Sequence, residues 1–185
     1  MPDEVTWAGF LNPPLIFAKL GLNKECRDVV EFGCGYGTFT VEAARIISGT
    51  IHAFDIESAM IEAARLKITA TGLINVRLYL RDFVTDGTGL PSQSVQYAML
   101  FNILHAERPL PLLEEAWRVL SSEGRLAIIH WNYDPSTPRG PSMTIRPRPQ
   151  QCQTWAHEAG FHLVVPGIID LPPYHYGMVL QKMVR

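Results

Sequence analysis

The chain has 185 residues, 47% of them hydrophobic, with a formal net charge of −2 and an isoelectric point near 6.3. That length suits one well-packed domain, residues 1–185, and the charge balance offers no general attraction to nucleic acid. No apolar run reaches membrane-spanning length, no basic-then-apolar leader opens the chain, and Cys26, Cys34 and Cys152 form no metal-ligand pattern, so a reduced cytoplasmic protein without a metal is expected.

In chain order, Asn12-Pro13-Pro14-Leu15 reads as a helix start, with Asn12 as N-cap and proline opening the first turn. A buried strand at about 28–32 runs into the turn Gly33-Cys34-Gly35-Tyr36-Gly37, and a helix follows at about 38–48. Further strands are expected at about 51–55, 76–80, 95–101 and 125–130, and further helices at about 58–71, 109–120 and 149–159. Ser58 is the expected N-cap of the helix carrying Met60, Ile61, Ala64 and Ile68, and Gly72 its stop. The alternation predicts a parallel sheet with helices on both faces. Two apolar runs close the chain, Phe161–Ile169 and Met178–Val184; the connection between them is too short for a crossover helix, so they pair antiparallel. The fold class is α/β: a three-layer α/β/α sandwich whose mostly parallel, seven-stranded sheet ends in an antiparallel hairpin. The loop from Trp131 to Pro149 is long and proline-rich, a mark of function or mobility.

The strand–turn–helix at 29–38 carries most of the functional information. Glycines let a ligand approach the backbone, and the following helix presents free N–H groups to it. A dinucleotide fingerprint is G-x-G-x-x-G, whereas this turn is G-x-G-x-G with Glu31 two residues ahead. A carboxylate there repels a pyrophosphate and attracts an ammonium. The segment resembles motif I of the class I S-adenosylmethionine-dependent methyltransferases, and the resemblance continues along nearly the whole chain. It implies a Rossmann-like fold, S-adenosyl-L-methionine as methyl donor with S-adenosyl-L-homocysteine as product, and a loop of Glu31, Gly33, Cys34, Gly35 and Gly37 passing beneath the methionine moiety. Asp55, ending the second strand, suits the two ribose hydroxyls of any adenosine, with Ile56 against the adenine face. The resemblance also implies that Asp82 takes the adenine amine and that Phe83 flanks the ring.

Ligands of open parallel sheets sit beyond the carboxyl ends of the strands, which puts Asn102 near the reacting methyl group. Asn102, His105 and His175 are the candidate catalytic residues. His105 is a possible proton acceptor or a structural histidine one turn into a helix. Trp7, Phe10 and Leu11, the turn Trp131-Asn132-Tyr133, and Tyr174-His175-Tyr176 are candidate walls of an acceptor pocket. Arg146 and Arg148 either clamp an anionic substrate or serve the loop and the helix start at Pro149. Asn12-Pro13-Pro14-Leu15 looks like the N-P-P-aromatic motif of amino-methyltransferases, but it precedes the first strand and ends in leucine, so methylation of DNA is not expected. The expected reaction is methyl transfer to O, N or S of a small molecule by a monomer or homodimer. Two alternatives remain: an NAD(P)-dependent oxidoreductase, and a non-catalytic S-adenosylmethionine-binding regulatory module.

Overall fold

The computed structural model describes residues 9–164 and 167–183; Trp7, the stretch 165–166 and Val184 lie outside them. In order the elements are α1 (Pro13–Leu20), β1 (Val29–Phe32), α2 (Thr38–Ile46), β2 (Ile51–Asp55), α3 (Ser58–Thr71), β3 (Val76–Leu80) and β4 (Val95–Phe101). There follow α4 (Leu110–Val119), β5 (Leu120–Trp131), α5 (Pro149–Glu158), β6 (Phe161–Leu163), β7 (Ile169–Leu171) and β8 (His175–Lys182). No helix among the described residues is long and apolar enough to cross a membrane.

Seven strands follow the order β3-β2-β1-β4-β5-β8-β6, and the short β7 pairs with β8 off that path. Strands β1 to β5 are parallel, while β8 runs antiparallel to β5, β6 and β7. From β1 the chain first winds outward through β2 and β3, then returns to place β4 and β5 on the other side. The switch in winding opens a crevice between β1 and β4 at their carboxyl ends.

The central strands are apolar on both faces because helices cover both. Successive residues divide between the two layers, as the period of two requires. Tyr97, Met99, Ala127 and Ile129 pack with Phe17 and Leu20 of α1 and Phe39 and Ala43 of α2. Ala98, Leu100, Leu126 and Ile128 pack with Leu112, Leu113 and Ala116 of α4 and Cys152 and Ala156 of α5. The α3 face of Ile61, Ala64 and Ile68 closes over Ala53.

Asn12 caps α1 as expected, accepting the Leu15 N–H at 3.2 Å. Gly72 ends α3 in the left-handed conformation. Ser58 does not cap α3: Glu57 occupies that position, and the Glu57 N–H donates to Asp55 Oδ1 at 3.0 Å. No side chain caps α3; the Asp55 carboxylate instead fixes the backbone of Glu57 as the chain enters the helix. Strand β5 begins five residues earlier than 125, at Leu120. The closing connection is also shorter than the sequence suggests, because His175, Tyr176 and Gly177 belong to β8, and the β5 register sets Trp131 opposite His175.

Candidate active site

A cavity of about 730 Å³ opens over the carboxyl ends of β1, β2 and β4. Its floor is the glycine turn. Gly33 and Cys34 donate their N–H groups to Phe54 O at 2.9 and 2.8 Å, which folds the chain sharply after β1. Gly37, with φ of 74°, starts α2. A Cβ on it would lie 3.2 Å from the Ala64 Cβ, so glycine here lets α2 approach α3 closely.

Two buried carboxylates face this turn. Asp55 Oδ2 accepts the Gly35 N–H at 2.8 Å and Oδ1 accepts the Glu57 N–H, which fixes the acid at the cavity wall. Glu31 is 2% exposed, and its Oε2 accepts the Thr40 hydroxyl at 2.5 Å. Burial pushes the Glu31 carboxyl up to about 8; the Thr40 hydroxyl opposes the shift and the Asp55 charge adds to it. Burial therefore holds the acid protonated near pH 7, and a cation placed beside it would favour its ionised form. Cys34 lines the cavity as a protonated thiol, driven well above its ordinary range by burial and by both carboxylates. Ile56, 57% exposed at the rim, and buried Phe83 offer apolar surfaces at the same end.

The far end is different. Asn102 follows β4 with φ of 56°, a conformation asparagine tolerates better than most residues. Its Oδ1 and Nδ2 are buried without a hydrogen-bond partner, and the side chain lines the cavity. Buried amides are almost always paired, so this one points to a ligand. His105 also lines the cavity, its Nδ1 unpartnered, and burial lowers its pKa so that the ring is neutral near pH 7. Behind it, edge-on at 5.6 Å between ring centroids, lies fully buried His130. Burial, followed by the neighbouring His105 and His175, pushes His130 down to about 3. Its Nδ1 accepts the Trp131 N–H at 3.0 Å.

The long loop after β5 forms the roof. Arg139, Gly140 and Pro141 line the cavity together with Trp131. Gly140 lies so close that a Cβ would meet the Trp131 Cγ at 2.9 Å and an Arg146 nitrogen at 2.7 Å. Arg146 holds the loop in this shape. Its guanidinium, in a side chain of 6% residue exposure, donates to Pro141 O from Nε and Nη2, to Arg139 O from Nη2, and to Asn132 O, Asp134 O and Thr137 Oγ1 from Nη1. Of the two readings of Arg146, the geometry supports the structural one. Arg148 stacks its guanidinium 3.7 Å over the Tyr133 ring. Pro149 opens α5.

Of the expected site residues, Glu31, Gly33, Cys34, Gly35, Asp55, Ile56, Phe83, Asn102 and His105 line one cavity. Three stand apart. Gly37 serves the α2–α3 approach. Asp82 is directed to its own loop, accepting N–H groups of Val84 and Thr85 and the Thr85 hydroxyl, and does not line the cavity. His175 is 1% exposed; its place in β8 packs its ring, tilted by 42°, against Trp131 at 4.3 Å between centroids, behind the cavity wall, and burial aided by the Arg146 charge pushes it down to about 4. Phe10 and Tyr174 pack around Trp131. The sequence reading did not anticipate Thr40, Met60, His130 or the roof residues Arg139–Pro141. His130 carried a legible signal, as a titratable residue at the carboxyl end of a parallel strand, and the roof residues lie in the long proline-rich loop that marked function or mobility.

A model of the methyltransferase domain family matches residues 29–124, from β1 into β5. An aklanonic acid methyltransferase of Streptomyces sp. (strain C5) is 31% identical over 102 residues, 54% of this chain and 46% of that protein, so the match spans about half the relative's length. Among solved structures, a SAM-dependent methyltransferase from Aquifex aeolicus superposes with a TM-score of 0.83 at 22% identity, covering 94% of this chain and 91% of that one. The cyclase SpnF shares the fold as well, at a TM-score of 0.78 and 15% identity, over 94% of this chain and 81% of that one.

Proposed function

The chain belongs to the class I S-adenosylmethionine-dependent methyltransferases, and on that premise we propose that residues 1–185 act as one domain that methylates O, N or S of a small molecule. The observation that carries the cofactor half is Glu31, an acid at 2% exposure beside the glycine turn, which burial keeps protonated and which needs a cation beside it to ionise. The ammonium of a methionine moiety meets that need. In this reading Asp55 takes the ribose hydroxyls, Ile56 and Phe83 flank the adenine, and the backbone of Gly33, Cys34 and Gly35 runs beneath the methionine portion. The Asp82 oxygens are turned to Val84 and Thr85, so the adenine amine implied by the resemblance has no free carboxylate oxygen aimed at it there.

When bound, S-adenosylmethionine supplies a methyl group already activated on a sulfonium. The protein's task is then to align the acceptor and exclude water. The unpartnered amide of Asn102 orients the acceptor at the reacting centre. The roof at Arg139–Pro141 shields it from solvent. His105, neutral near pH 7, takes the proton of an acceptor that must lose one. The aklanonic acid relative supports a small organic acceptor. The shared fold of a cyclase means that fold alone does not specify the reaction.

The test is calorimetric titration with S-adenosylhomocysteine, with NADH in parallel, followed by turnover assays with labelled S-adenosylmethionine. Micromolar binding of S-adenosylhomocysteine alone, with label transfer to a small acceptor, is the expected result. Binding without transfer to any acceptor would favour a regulatory module.

A further inference from the structure

A second cavity, of about 550 Å³, lies beside the first. His105 lines both. The loop after β5 serves the two in turn: Arg139–Pro141 roofs the first, and residues 143–148 wall the second against the turn after β4 and the start of α5. One ligand of drug-like size fills a pocket of about 300–1,000 Å³. The cofactor therefore accounts for the first cavity, where the acceptor needs only its reacting atom. The second has room for the rest of the acceptor.

Its walls are largely apolar, from Leu104, Tyr133, Met143, Ile145, Pro147 and Trp155. Ile145, 53% exposed, keeps apolar surface uncovered there. The charges are unequal: two guanidiniums, Arg146 and Arg148, face one carboxylate among the lining residues, that of exposed Glu107. Arg146 is buried, and its hydrogen bonds go to carbonyls and the Thr137 hydroxyl. Asp134, exposed on the loop, acts on it only through its charge. A buried cation without a hydrogen-bonded counterion favours an anion nearby. Arg148 supplies the contact. It is exposed at the cavity mouth with its guanidinium 3.7 Å over the Tyr133 ring, and among the described residues no acceptor takes its N–H groups. The chain holds it in place. Pro149 keeps the Arg148 backbone extended, at φ −79° and ψ 155°. The Arg148 N–H donates to Gln151 Oε1 at 2.8 Å, and Pro147 O accepts the Tyr176 hydroxyl at 3.1 Å. An aromatic ring under the guanidinium face leaves its N–H edge for an oxyanion.

We infer that the second cavity holds the body of the acceptor, an apolar organic anion whose oxyanion sits on Arg148 and is not itself methylated, while a nucleophilic group at its other end reaches past His105 to the cofactor. This rests on the methyltransferase reading above and adds to it the acceptor's place and its remote charge. In the step, a lone pair on O, N or S of that group forms the bond to CH₃ as the S–CH₃ bond of the cofactor breaks. The pair of the broken bond stays on the cofactor sulfur as a neutral thioether. The proton displaced from the acceptor atom passes to the His105 ring.

The test titrates 10-hydroxydecanoate, 10-aminodecanoate, 10-mercaptodecanoate and 1,10-decanediol into the full chain saturated with S-adenosylhomocysteine. It then follows label from S-adenosylmethionine into each and locates it in the product. Wild type is compared with Arg148→Gln and Ile145→Glu, both at exposed positions outside the first cavity. At least one acid is expected to bind tenfold or more tightly than the diol and to take the label on its terminal heteroatom. Its binding should weaken at least tenfold in each variant, with S-adenosylhomocysteine affinity within twofold of wild type. Equal or tighter binding of the diol, no binding of any acid, unchanged acid affinity in either variant, no label transfer, or label on the carboxylate overturns the inference while leaving cofactor binding intact. Failure of S-adenosylhomocysteine itself to bind overturns the cofactor reading, and this inference with it.

Discussion

Replacing Glu31 by glutamine separates the stability of the fold from its ligand chemistry. Burial lifts the Glu31 carboxyl from 4.5 to about 8 in the folded chain. The unfolded chain releases this proton near 4.5 and the folded one holds it to about 8, so folding is favoured by proton retention. That contribution is fully present below pH 4.5 and is lost as pH rises through 8. Between pH 5 and pH 9 the loss amounts to about 4 kcal/mol. Glutamine mimics the protonated acid and does not titrate. The ligand-free Glu31→Gln protein should therefore show a flatter pH dependence in urea unfolding and exceed wild type at pH 9 by up to about 4 kcal/mol.

Ligand binding should move oppositely. An ammonium beside Glu31 favours its ionised form, so wild type at pH 7 should release close to one proton on binding S-adenosylhomocysteine. Its affinity should rise up to about tenfold per pH unit between pH 6 and 8. Glu31→Gln should abolish the proton release and weaken binding by about 1.5–3 kcal/mol, a lost charge-assisted hydrogen bond. Calorimetry in two buffers of different ionisation enthalpy reads the proton count directly. Wild-type binding without proton release, or unchanged affinity in the variant, would refute the pairing of Glu31 with an ammonium.

Asp55→Ala should weaken S-adenosylhomocysteine binding by about 1–3 kcal/mol in the same calorimeter, since the proposed ribose partner and the anchor of the Gly35 N–H are lost together. Asn102→Gly keeps the left-handed backbone and removes only the unpartnered amide; single-turnover label transfer should slow about tenfold or more. Arg146→Lys leaves at most three donors where the guanidinium has five, so thermal unfolding should show a loss of at least about 2 kcal/mol. The acceptor KM should rise as the roof loosens, with S-adenosylhomocysteine affinity within about twofold of wild type because Arg146 does not line the cavity.

Local signals determined a large part of this protein. The G-x-G-x-G turn, the acid two residues before it, the apolar period of α3 and the Asn12 cap each act within a few residues, so the residues alone specify them. They fix the α/β class, the parallel order of β1 to β5 and the cofactor family. Nine of the expected site residues converge because each lies at or just beyond the carboxyl end of a strand, where the topology gathers them. Tertiary structure decided what depends on register and burial. Pairing of β8 with β5 set His175 against Trp131 and out of the cavity, although its aromatic neighbours in sequence suggested an active-site turn. The acid at Asp82 serves its own loop, a choice between local and distant partners that spacing does not encode. The role of Arg146 is equally non-local, for its carbonyl partners come from four positions of a folded loop, and only that folding turns a surface-type residue into the buried clasp of the roof.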